Sequence, residues 1–480
     1  MPLNMHAKRQ ILRAACSLIL LSVLGAGCTK GPDAATLAAS KKVEINVWGV
    51  IDDLDVYQSI FNDYRKLHPN VTISFRRFRT EEYEDQLLNA MAEDRGPDIF
   101  MIHNTWVGKY LPKIQPMPLQ TKTAAQSVQG TLKKELVWSL VTEPTVSLRQ
   151  FKFDYPDVVA GDMIRTVNVS TIPDKRDFQQ RVLAVPLSVD TLGMYVNKDL
   201  LNAAGISTVP ENWDDFQTAV RKLVKQDDNG NILQAGAALG TGLNVERAPD
   251  ILAALMMQNG TEMSAPDGTP TFQSIPAKLA GQRDQPPAYQ ALSFYLDFAN
   301  PGKDVYTWND KMPNSLDAFI QGKVAFFFGY GYHLPVIRAR APKLNLGIAK
   351  LPQIQGNPVV NYANYWAWTV AKKTKSADIA WNLLNFMRKP DESKKFLDAA
   401  KRPAALRSQL SAQLENEDIG VFAAQVLTAQ SWYRGNDPKA MEDALITLSE
   451  DAQGADPQQY ANLVKTAVNK VAQTIPYGGI

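Results

Sequence analysis

Acidic, amide and aromatic side chains follow two of the first predicted strands, at the point where each strand ends. Asp52 and Asp53 come after the first strand, and Asn104 and Trp106 come after the third. In parallel α/β sheets, ligands gather at the carboxyl ends of the strands. Carboxylates and amides there can hydrogen-bond a polar ligand, and an aromatic ring can stack on an apolar face. Aspartate also favours the N-cap of a helix, so we expect one of the two aspartates to bind a ligand.

A second group of polar and aromatic residues lies farther along the chain. Its members are Asp190, Asn244, Arg247, Tyr330, Tyr332, Trp366 and Trp432. Glycines flank both tyrosines after an apolar strand, and Asn244 and Arg247 lie in a loop before a predicted helix. All seven are candidates for ligand contact. The alternative for Asp190 is a hydrogen bond in a hinge, and the alternative for each ring is core packing.

Patterns for catalysis, metals and nucleotides are missing from the sequence. No His-Glu-x-x-His, Gly-x-Ser-x-Gly or Ser-x-x-Lys motif occurs. Asp227 to Asn231 resembles a calcium loop, but placing Gly230 at its sixth position puts Lys225 where the first carboxylate should be. The glycines of 240–242 lack the third glycine and the Lys-Ser/Thr of a phosphate loop. We therefore predict no catalytic residue, no metal and no cofactor.

The N-terminal segment has the order of a secretory signal. Three basic residues precede the apolar run Ala14 to Leu24, and Gly25, Ala26 and Gly27 lead to Cys28. This resembles the lipobox of bacterial lipoproteins, in which the cysteine is lipidated, although Gly25 stands where a leucine is usual. Residues 1–27 are then a signal peptide and 28–40 a tether to the membrane. The alternative is ordinary cleavage nearby, which would leave Cys28 a stray thiol.

Charge and cysteine content limit the possible functions. Removing the three basic residues of the signal lowers the formal net charge from +2 to −1. A near-neutral surface argues against nucleic acid as a partner. The chain has two cysteines, Cys16 and Cys28, so the folded body has no disulfide and no cysteine-ligated metal. An apolar fraction of 45% suffices for a large core in two or three domains.

Alternating strands and helices begin directly after the tether. Val43, Ile45 and Val47 alternate with polar residues, as in a half-buried strand. A helix that ends near His68, a strand over 71–75, a helix over 83–91 and a strand over 97–101 follow. This order predicts parallel strands with right-handed crossovers.

Several segments together resemble the family 1 extracellular solute-binding proteins, which are sugar-binding components of ABC importers related to maltose-binding protein. The similar segments are Val47-Trp-Gly49, His68-Pro-Asn-Val71, Gly96-Pro-Asp-Ile-Phe100, Val185 to Leu200, Trp213-Asp-Asp-Phe216, Gly322-Lys-Val-Ala325, Leu344 to Pro352 and Ala380 to Phe386. Their order and spacing cover nearly all of the mature chain. Residues 113–173 match no pattern of the family, and we interpret them as an elaboration of unknown role.

The resemblance implies an α/β fold of the type II periplasmic-binding-protein class, with two lobes and a hinge. The first lobe is expected to hold residues 41–186 and 352–401, and the second 190–347 and 402–480. We predict hinge strands at 185–187 and 346–348. A ligand would bind in the cleft between the lobes, and the hinge would close around it.

The same resemblance implies an extracytoplasmic protein, lipid-anchored in the cell envelope, that captures a carbohydrate and delivers it to the permease of an ABC importer. The expected ligand is an oligosaccharide. The acidic pair Asp52 and Asp53, the loop of Asn244 and Arg247, and Trp432 match places where relatives contact sugar. The chain itself is not expected to be an enzyme.

Other ligands fit parts of the same residue set. A polyamine needs an acidic and aromatic box, which Asp52, Asp53 and Trp106 allow, and ferric ion needs tyrosine, histidine and carboxylate together, which Tyr330, Tyr332 and His333 suggest. A secreted glycoside hydrolase is the alternative from another class. It needs two carboxylates about 5 to 10 Å apart, and Asp52 with Asp190 are the candidates.

Overall fold

The computed structural model describes residues 33–129, 134–170, 172 and 174–476. The predicted signal peptide, Cys28 and the start of the tether lie outside these residues. The strands are β1 (Val43–Gly49), β2 (Val71–Arg77), β3 (Ile99–His103), β4 (Gln120–Gln129), β5 (Glu135–Pro144), β6 (Ile164–Asn168), β7 (Phe178–Val182), β8 (Asp190–Thr191), β9 (Gly193–Asn197), β10 (Lys225–Gln226), β11 (Ile232–Ala237), β12 (Val324–Gly329), β13 (Leu346–Lys350), β14 (Asn361–Asn364), β15 (Trp366–Val370) and β16 (Ala429–Gln430).

Helices make up most of the remaining regular structure. They are α1 (Ala34–Ala39), α2 (Leu54–Leu67), α3 (Thr80–Ala92), α4 (Val107–Tyr110), α5 (Leu148–Asp154), α6 (Asp157–Met163), α7 (Lys198–Ala203), α8 (Trp213–Leu223), α9 (Ala248–Gln258), α10 (Pro287–Asp297), α11 (Ser315–Ile320), α12 (His333–Arg340), α13 (Ala377–Met387), α14 (Pro390–Ala400), α15 (Arg407–Leu410), α16 (Gly420–Gln425), α17 (Pro438–Asp451) and α18 (Tyr460–Ala472). No helix within the described ranges is long and apolar enough to cross a membrane.

The first lobe is built on a four-stranded sheet in the order β15-β3-β1-β2. β1 pairs in parallel with β2 and with β3, which confirms the predicted βαβαβ unit. Ile45 and Val47 of β1 point into the core, as their alternation with polar residues predicts. The carboxyl ends of β1, β2 and β3 therefore lie at one edge of this sheet.

The second lobe is built on a five-stranded sheet in the order β10-β11-β12-β9-β13. Every residue of β12 and β9 is buried, because helices cover both faces of the sheet. Phe326, Phe327 and Phe328 supply large rings to this core. The two lobes thus confirm the predicted fold class, an α/β fold with two lobes.

A separate three-stranded sheet, β16-β14-β8, joins the lobes. Core residues change lobe at each of its strands: Val189 packs in the first core and Leu192 in the second, Tyr362 in the second and Ala363 in the first. Ala429 and Trp432 change likewise on the third crossing. Three crossings held by backbone hydrogen bonds form the hinge region.

The observed crossings differ from the two predicted hinge strands. Val185–Leu187 still lies in the first core, a few residues before the crossing at β8. The prediction for 346–348 is wrong, since β13 pairs along its length with β9 inside the second sheet. The predicted lobe boundaries stay a prediction, although Val360 and Tyr362 pack in the second core and Leu406 and Val426 in the first.

The elaboration at 113–173 forms regular structure. β4 and β5 make a ten-residue antiparallel hairpin, and β6 pairs with β7 beyond the segment. Helix α1, within the predicted tether, packs against β5 and β4. Residues 34–39 are therefore part of the folded body.

Candidate functional site

A cleft of about 1070 Å³ opens between the two lobes. The strand ends of the first sheet lie on one side, and the starts of α9, α12 and α17 lie on the other. Residues from both lobes and from the crossing strands line it, including Asp52, Trp106, Asp190, Arg247, Tyr332 and Trp366. Six of the eleven predicted binding residues therefore share one site.

Aromatic rings form the wall of the cleft on the first lobe. Trp106 follows β3 and Trp366 opens β15, and their rings meet edge to face with centroids 5.1 Å apart. Tyr83 stacks behind Trp106, with centroids 6.4 Å apart. Both tryptophans are half-buried, so each keeps part of its ring open to the cleft. Rings fixed in this way can stack on an apolar face of a ligand with little loss of side-chain entropy.

His103 packs against this aromatic wall. Its Nε2 lies 3.1 Å from Oδ1 of Asn364, and its ring meets Trp366 edge on, with centroids 5.4 Å apart. Because an amide oxygen only accepts, Nε2 carries the proton in this contact. Burial lowers the pKa of His103 to about 4. The imidazole is therefore neutral at physiological pH.

Arg402 forms an ion pair with the carboxylate of Asp52. Its Nη2 donates to Oδ1 over 2.9 Å and its Nε donates to the same oxygen over 3.1 Å. Both side chains are largely buried at the floor of the cleft. Asp52 thus reaches the predicted site but already has a bidentate partner there.

Arg247 lies on the facing lobe at the start of α9. It donates to both oxygens of Asp250 over 2.9 Å and to Oε1 of Glu442 over 2.8 Å. Burial lowers the pKa of Arg247, but the carboxylates of Asp250 and Glu442 raise it by more, and the net shift is upward. The residue adopts φ +56°, a left-handed conformation that is unfavourable for arginine. The ion pairs with Asp250 and Glu442 hold the side chain in place despite this conformation.

Asp190 lies at the first crossing of the hinge sheet. Its carboxylate accepts backbone N–H bonds from Thr191, Gly331 and Tyr332 at 2.9, 3.0 and 3.3 Å. Burial raises the pKa of Asp190. These bonds match the alternative of a hinge hydrogen bond, and they also hold Tyr332 at the cleft surface.

Five predicted residues do not line the cleft. Asp53 pairs with Arg77 at 2.6 Å on the surface, at the N-cap position of α2. Asn104 is buried behind the wall, where it contacts Asp162. Asn244 donates to the carbonyls of Asn309 and Met312 within the second lobe.

The other two are aromatic residues of the second core. Tyr330 is fully buried and its hydroxyl donates to Asp250 over 2.6 Å. Trp432 is buried against Phe272. For these two rings, core packing is what the structure shows, and a contact with ligand stays a prediction.

Charged side chains in the cleft are balanced and largely paired. Six basic residues (Arg77, Arg79, Lys109, Arg247, Arg402 and Lys439) and six acidic residues (Asp52, Glu81, Glu84, Asp190, Glu246 and Glu442) line it. Lys109 and Glu84, for example, lie 2.7 Å apart. Among the described residues no group of three His, Cys, Asp or Glu side chains could hold a metal ion. The site therefore suits a neutral polar ligand.

Sequence reasoning missed several lining residues. Arg77 ends β2, so the strand-end rule that indicated Asp52 could have found it. Arg402, Lys439 and Glu442 reach the cleft only because the chain crosses between lobes and α17 docks there. No local pattern indicates them.

A second depression, of about 610 Å³, lies between α17 and α18. Among the described residues no aromatic ring lines it, and those that do line it come from the C-terminal segment. It lacks the two-lobed wall of the cleft, so the cleft is the candidate site.

Comparison with known proteins agrees with this geometry. Residues 49–394 match the model of the family described as bacterial extracellular solute-binding protein. A binding protein of Brucella abortus (strain 2308) is 24% identical over 281 residues, which are 56% of this chain and 61% of the relative. The Multiple sugar-binding protein of Streptococcus mutans is 24% identical over 230 residues, 48% of this chain and 52% of the relative. The chain thus spans about half to three fifths of these curated relatives.

Solved structures extend the comparison to the whole fold. The cyclic alpha-maltosyl-1,6-maltose binding protein from Arthrobacter globiformis superposes with a TM-score of 0.65 at 18% identity, over 90% of this chain and 99% of that one. At this identity the likeness shows the two-lobed fold. Because the family model matches most of the chain, this protein belongs to the bacterial extracellular solute-binding proteins.

Proposed function

We propose that this protein is an extracytoplasmic lipoprotein that captures a carbohydrate, specifically an oligosaccharide, and delivers it to an ABC importer. The observation that carries the proposal is the cleft between the lobes, with Trp106 and Trp366 on one wall and Tyr332 on the other. Its volume of about 1070 Å³ has room for more than one sugar ring. The sugar ligands named for its relatives support the same class of cargo.

The chemistry of the walls fits a pyranose ring. Such a ring has an apolar C–H face and a rim of hydroxyls, each of which both donates and accepts hydrogen bonds. Trp106 and Trp366 offer the flat surfaces for the C–H face. In the ion pairs Lys109–Glu84 and Arg247–Glu442, a charged donor lies beside a charged acceptor. A sugar hydroxyl can accept a hydrogen bond from the first and donate one to the second.

The charged alternatives have less support in the cleft. A site for a polyamine needs unpaired carboxylates beside aromatic rings of the protein. Here Asp52 is paired with Arg402 and Asp53 with Arg77. Ferric ion would need Tyr330, Tyr332, His333 and a carboxylate with their ligand atoms free to meet at one point. The hydroxyl of Tyr330 is instead fully buried and donates to Asp250, and Nδ1 of His333 accepts from the backbone N–H of Tyr330.

A glycoside hydrolase would use Asp52 and Asp190 as its carboxylate pair. Asp52 is engaged by Arg402, and Asp190 accepts three backbone N–H bonds. Neither carboxylate is free to protonate a glycosidic oxygen or to attack an anomeric carbon. We therefore propose a receptor and not an enzyme.

Delivery follows from the hinge. Closure about the sheet β16-β14-β8 would bury the ligand between the lobes and bring both lobes together into one surface for the permease. Lipidation of Cys28 would keep the receptor at the membrane that holds the importer. These partners are proposed from the family and from the sequence of the N-terminal segment.

The test uses the soluble form that begins at Thr29. It is titrated with mono- and oligosaccharides, polyamines, amino acids and ferric ion, while tryptophan fluorescence is followed and the recovered ligand is assayed for cleavage. We expect saturable binding of an intact oligosaccharide, micromolar or tighter. Hydrolysis of the sugar, or saturable binding of a non-sugar alone, would overturn the proposal.

A further inference from the structure

The hairpin of β4 and β5 projects from the first lobe. Its strands pair from Gln120↔Pro144 to Gln129↔Glu135. At its base Thr121 and Thr123 are each only 2% exposed, whereas Val128 and Leu136 farther out are 61% and 68% exposed. Within the described residues it pairs with no other strand. The hairpin is therefore an arm that extends beyond the body of the lobe.

One face of this arm carries several apolar side chains near its outer end. Residues directly opposite each other on antiparallel strands share a face, and side chains alternate along each strand. The pairs Val128↔Leu136, Gln126↔Trp138 and Ala124↔Leu140 thus lie on the same face. We call Val128, Leu136, Trp138 and Leu140 the hairpin strip. Three of its members are exposed and Trp138 is half-buried.

The N-terminal helix packs against the same arm. α1 contacts β5 and β4, and Asn70 Nδ2 donates to the carbonyls of Ala39 and Lys41 at its end. Leu37 on this helix is exposed. The start of the folded chain is therefore fixed beside the hairpin.

Chain length sets how far the membrane can be from this arm. Asp33, the N-cap of α1, lies five positions after Cys28, with four residues between them. A fully extended chain of that length spans at most about 18 Å. If Cys28 is lipidated, the bilayer surface lies within that reach of α1.

We propose that the hairpin strip rests on the bilayer that anchors Cys28. This proposal rests on the proposed lipid anchor. Exposed aliphatic side chains partition into the interface, and tryptophan is favoured at the boundary between headgroups and acyl chains. The described part of the hairpin carries two lysines and two glutamates, so its attraction to lipid is apolar and not electrostatic. Contact through the hairpin strip, in addition to the lipid on Cys28, would restrict the orientation of the receptor above the membrane.

The experiment uses the absence of cysteine from residues 29–480. Protein starting at Thr29 with an N-terminal histidine tag is held on vesicles of phosphatidylethanolamine, phosphatidylglycerol and a nickel-chelating lipid. A single cysteine in the variant Leu136→Cys carries the environment-sensitive dye NBD. Leu233→Cys is the matched control, because Leu233 is 62% exposed on β11 of the other lobe.

The expected result is a blue shift of the dye at position 136 on vesicles. Its quenching by aqueous iodide should fall by about threefold or more, because the dye enters the interface. The dye at position 233 should keep the quenching that it shows without vesicles. Adding Leu140→Ser to the Leu136→Cys variant should reduce the protection.

Equal quenching at the two positions on vesicles would overturn the proposal. So would protection at position 136 that requires permease subunits in the vesicles, since it would assign the strip to a protein partner. Mass spectrometry that finds Cys28 of the full chain unmodified would also overturn it, by removing its basis. Sugar titration of the same labelled proteins tests the proposed function separately, because the artificial tether makes the vesicle result independent of ligand binding.

Discussion

Side chains at the cleft gain their positions from packing behind them. Trp366 meets Trp106, His103 and Tyr83 with ring centroids 5.1, 5.4 and 5.9 Å away. The ring of Tyr332 stacks on that of Tyr330 with centroids 5.6 Å apart, and the backbone N–H of Tyr332 donates to Asp190. Such rings are rigid before a ligand arrives, so a ligand that stacks on them loses little free energy in ordering them.

Replacing Trp366 or Tyr332 with alanine should weaken oligosaccharide binding. Loss of one stacked ring corresponds to about 1 to 3 kcal/mol, or roughly a 5- to 150-fold rise in Kd. Isothermal titration calorimetry measures this change, and Phe153→Ala is the control, because Phe153 is exposed on α5 and outside the cleft. An unchanged Kd in both cleft variants would mean that these rings do not contact the sugar.

Trp432→Ala should instead reduce stability. The ring is buried in the second core against Phe272 and Tyr433. Deleting a buried aromatic side chain costs about 3 to 5 kcal/mol in the free energy of unfolding. Urea denaturation measures this loss. Full stability with weakened sugar binding would restore the role that the family resemblance implies for Trp432.

Acid should destabilise the protein through His103. Its pKa is lowered to about 4 by burial, whereas a histidine in the unfolded chain has a pKa near 6.5. Between these values the unfolded state binds more protons, so the free energy of unfolding falls as the pH falls from about 6.5 to 4. We expect His103→Gln to remove about 2 kcal/mol of the difference in stability between pH 7 and pH 4.5.

Urea denaturation at the two pH values provides the measurement. His68 leaves a residual slope in the variant, because burial lowers the pKa of that ring also. The variant His68→Gln, studied in parallel, shows how much of the slope belongs to each ring. An identical slope in the wild type and in His103→Gln would contradict the expectation.

Some cleft residues were predictable because a simple rule places them. Asp52 and Trp106 follow strands of a parallel βαβαβ unit, and the carboxyl ends of such strands meet at one edge. Tyr330 and Tyr332 share flanking glycines, yet only Tyr332 reaches the cleft. The difference arises from the turn into α12, which directs Tyr330 towards Asp250 in the core. No sequence pattern separates the two.

At the scale of elements, close backbone packing joins α4 to the C-terminal segment. A Cβ added at Gly108 would lie 2.5 Å from the carbonyl oxygen of Gly435 and 2.6 Å from that of Arg434. The side chain of Arg434 pairs with the buried Asp162 at 2.7 Å in the same region. Helix α4 and the chain after β16 therefore depend on glycine at position 108.

Gly108→Ala should lower the free energy of unfolding by about 1 to 3 kcal/mol, because backbone atoms cannot move aside as a flexible side chain can. Gly161→Ala on α6 is the matched control, since nothing lies within 4 Å of its added Cβ. That substitution should stabilise the protein by about 0.5 to 1 kcal/mol. Thermal denaturation of both variants is the measurement. Equal effects of the two substitutions would contradict the packing at Gly108.

Elements were predictable in proportion to their length. α2 and α3, with 14 and 13 residues, carry a helical period, and β1 carries an alternation. The hinge strands β8 and β16 have two residues each, too few for any period. Their pairing with β14 joins segments that are far apart in the sequence. A longer apolar strand such as β13 therefore gives a stronger local signal than the hinge strands do, although it pairs inside the second sheet.

At the scale of the whole molecule, two separate cores joined by a small sheet favour movement of one lobe against the other. The buried apolar residues fall into two clusters, one in each lobe, and within the described ranges the shared sheet that joins the lobes consists of β8, β14 and β16. Interfaces lined by paired charges, such as the cleft, open at lower cost than apolar cores. The same cleft carries equal numbers of acidic and basic residues.

Saturating oligosaccharide should therefore close the molecule and raise its free energy of unfolding. The Kd for the oligosaccharide should depend little on salt. Small-angle X-ray scattering should show a smaller radius of gyration with ligand than without it, because hinge closure brings the lobes together. At a ligand concentration 100 times the Kd, linkage predicts a gain of about 2.7 kcal/mol in the free energy of unfolding. A neutral ligand in a charge-balanced cleft should have nearly the same Kd at low and high ionic strength, whereas a polyamine would bind much more weakly at high salt. Phe153→Ala, which leaves the cleft intact, should close as the wild type does, and an unchanged radius of gyration at saturation would mean that the lobes stay at a fixed angle and that the ligand enters a preformed site.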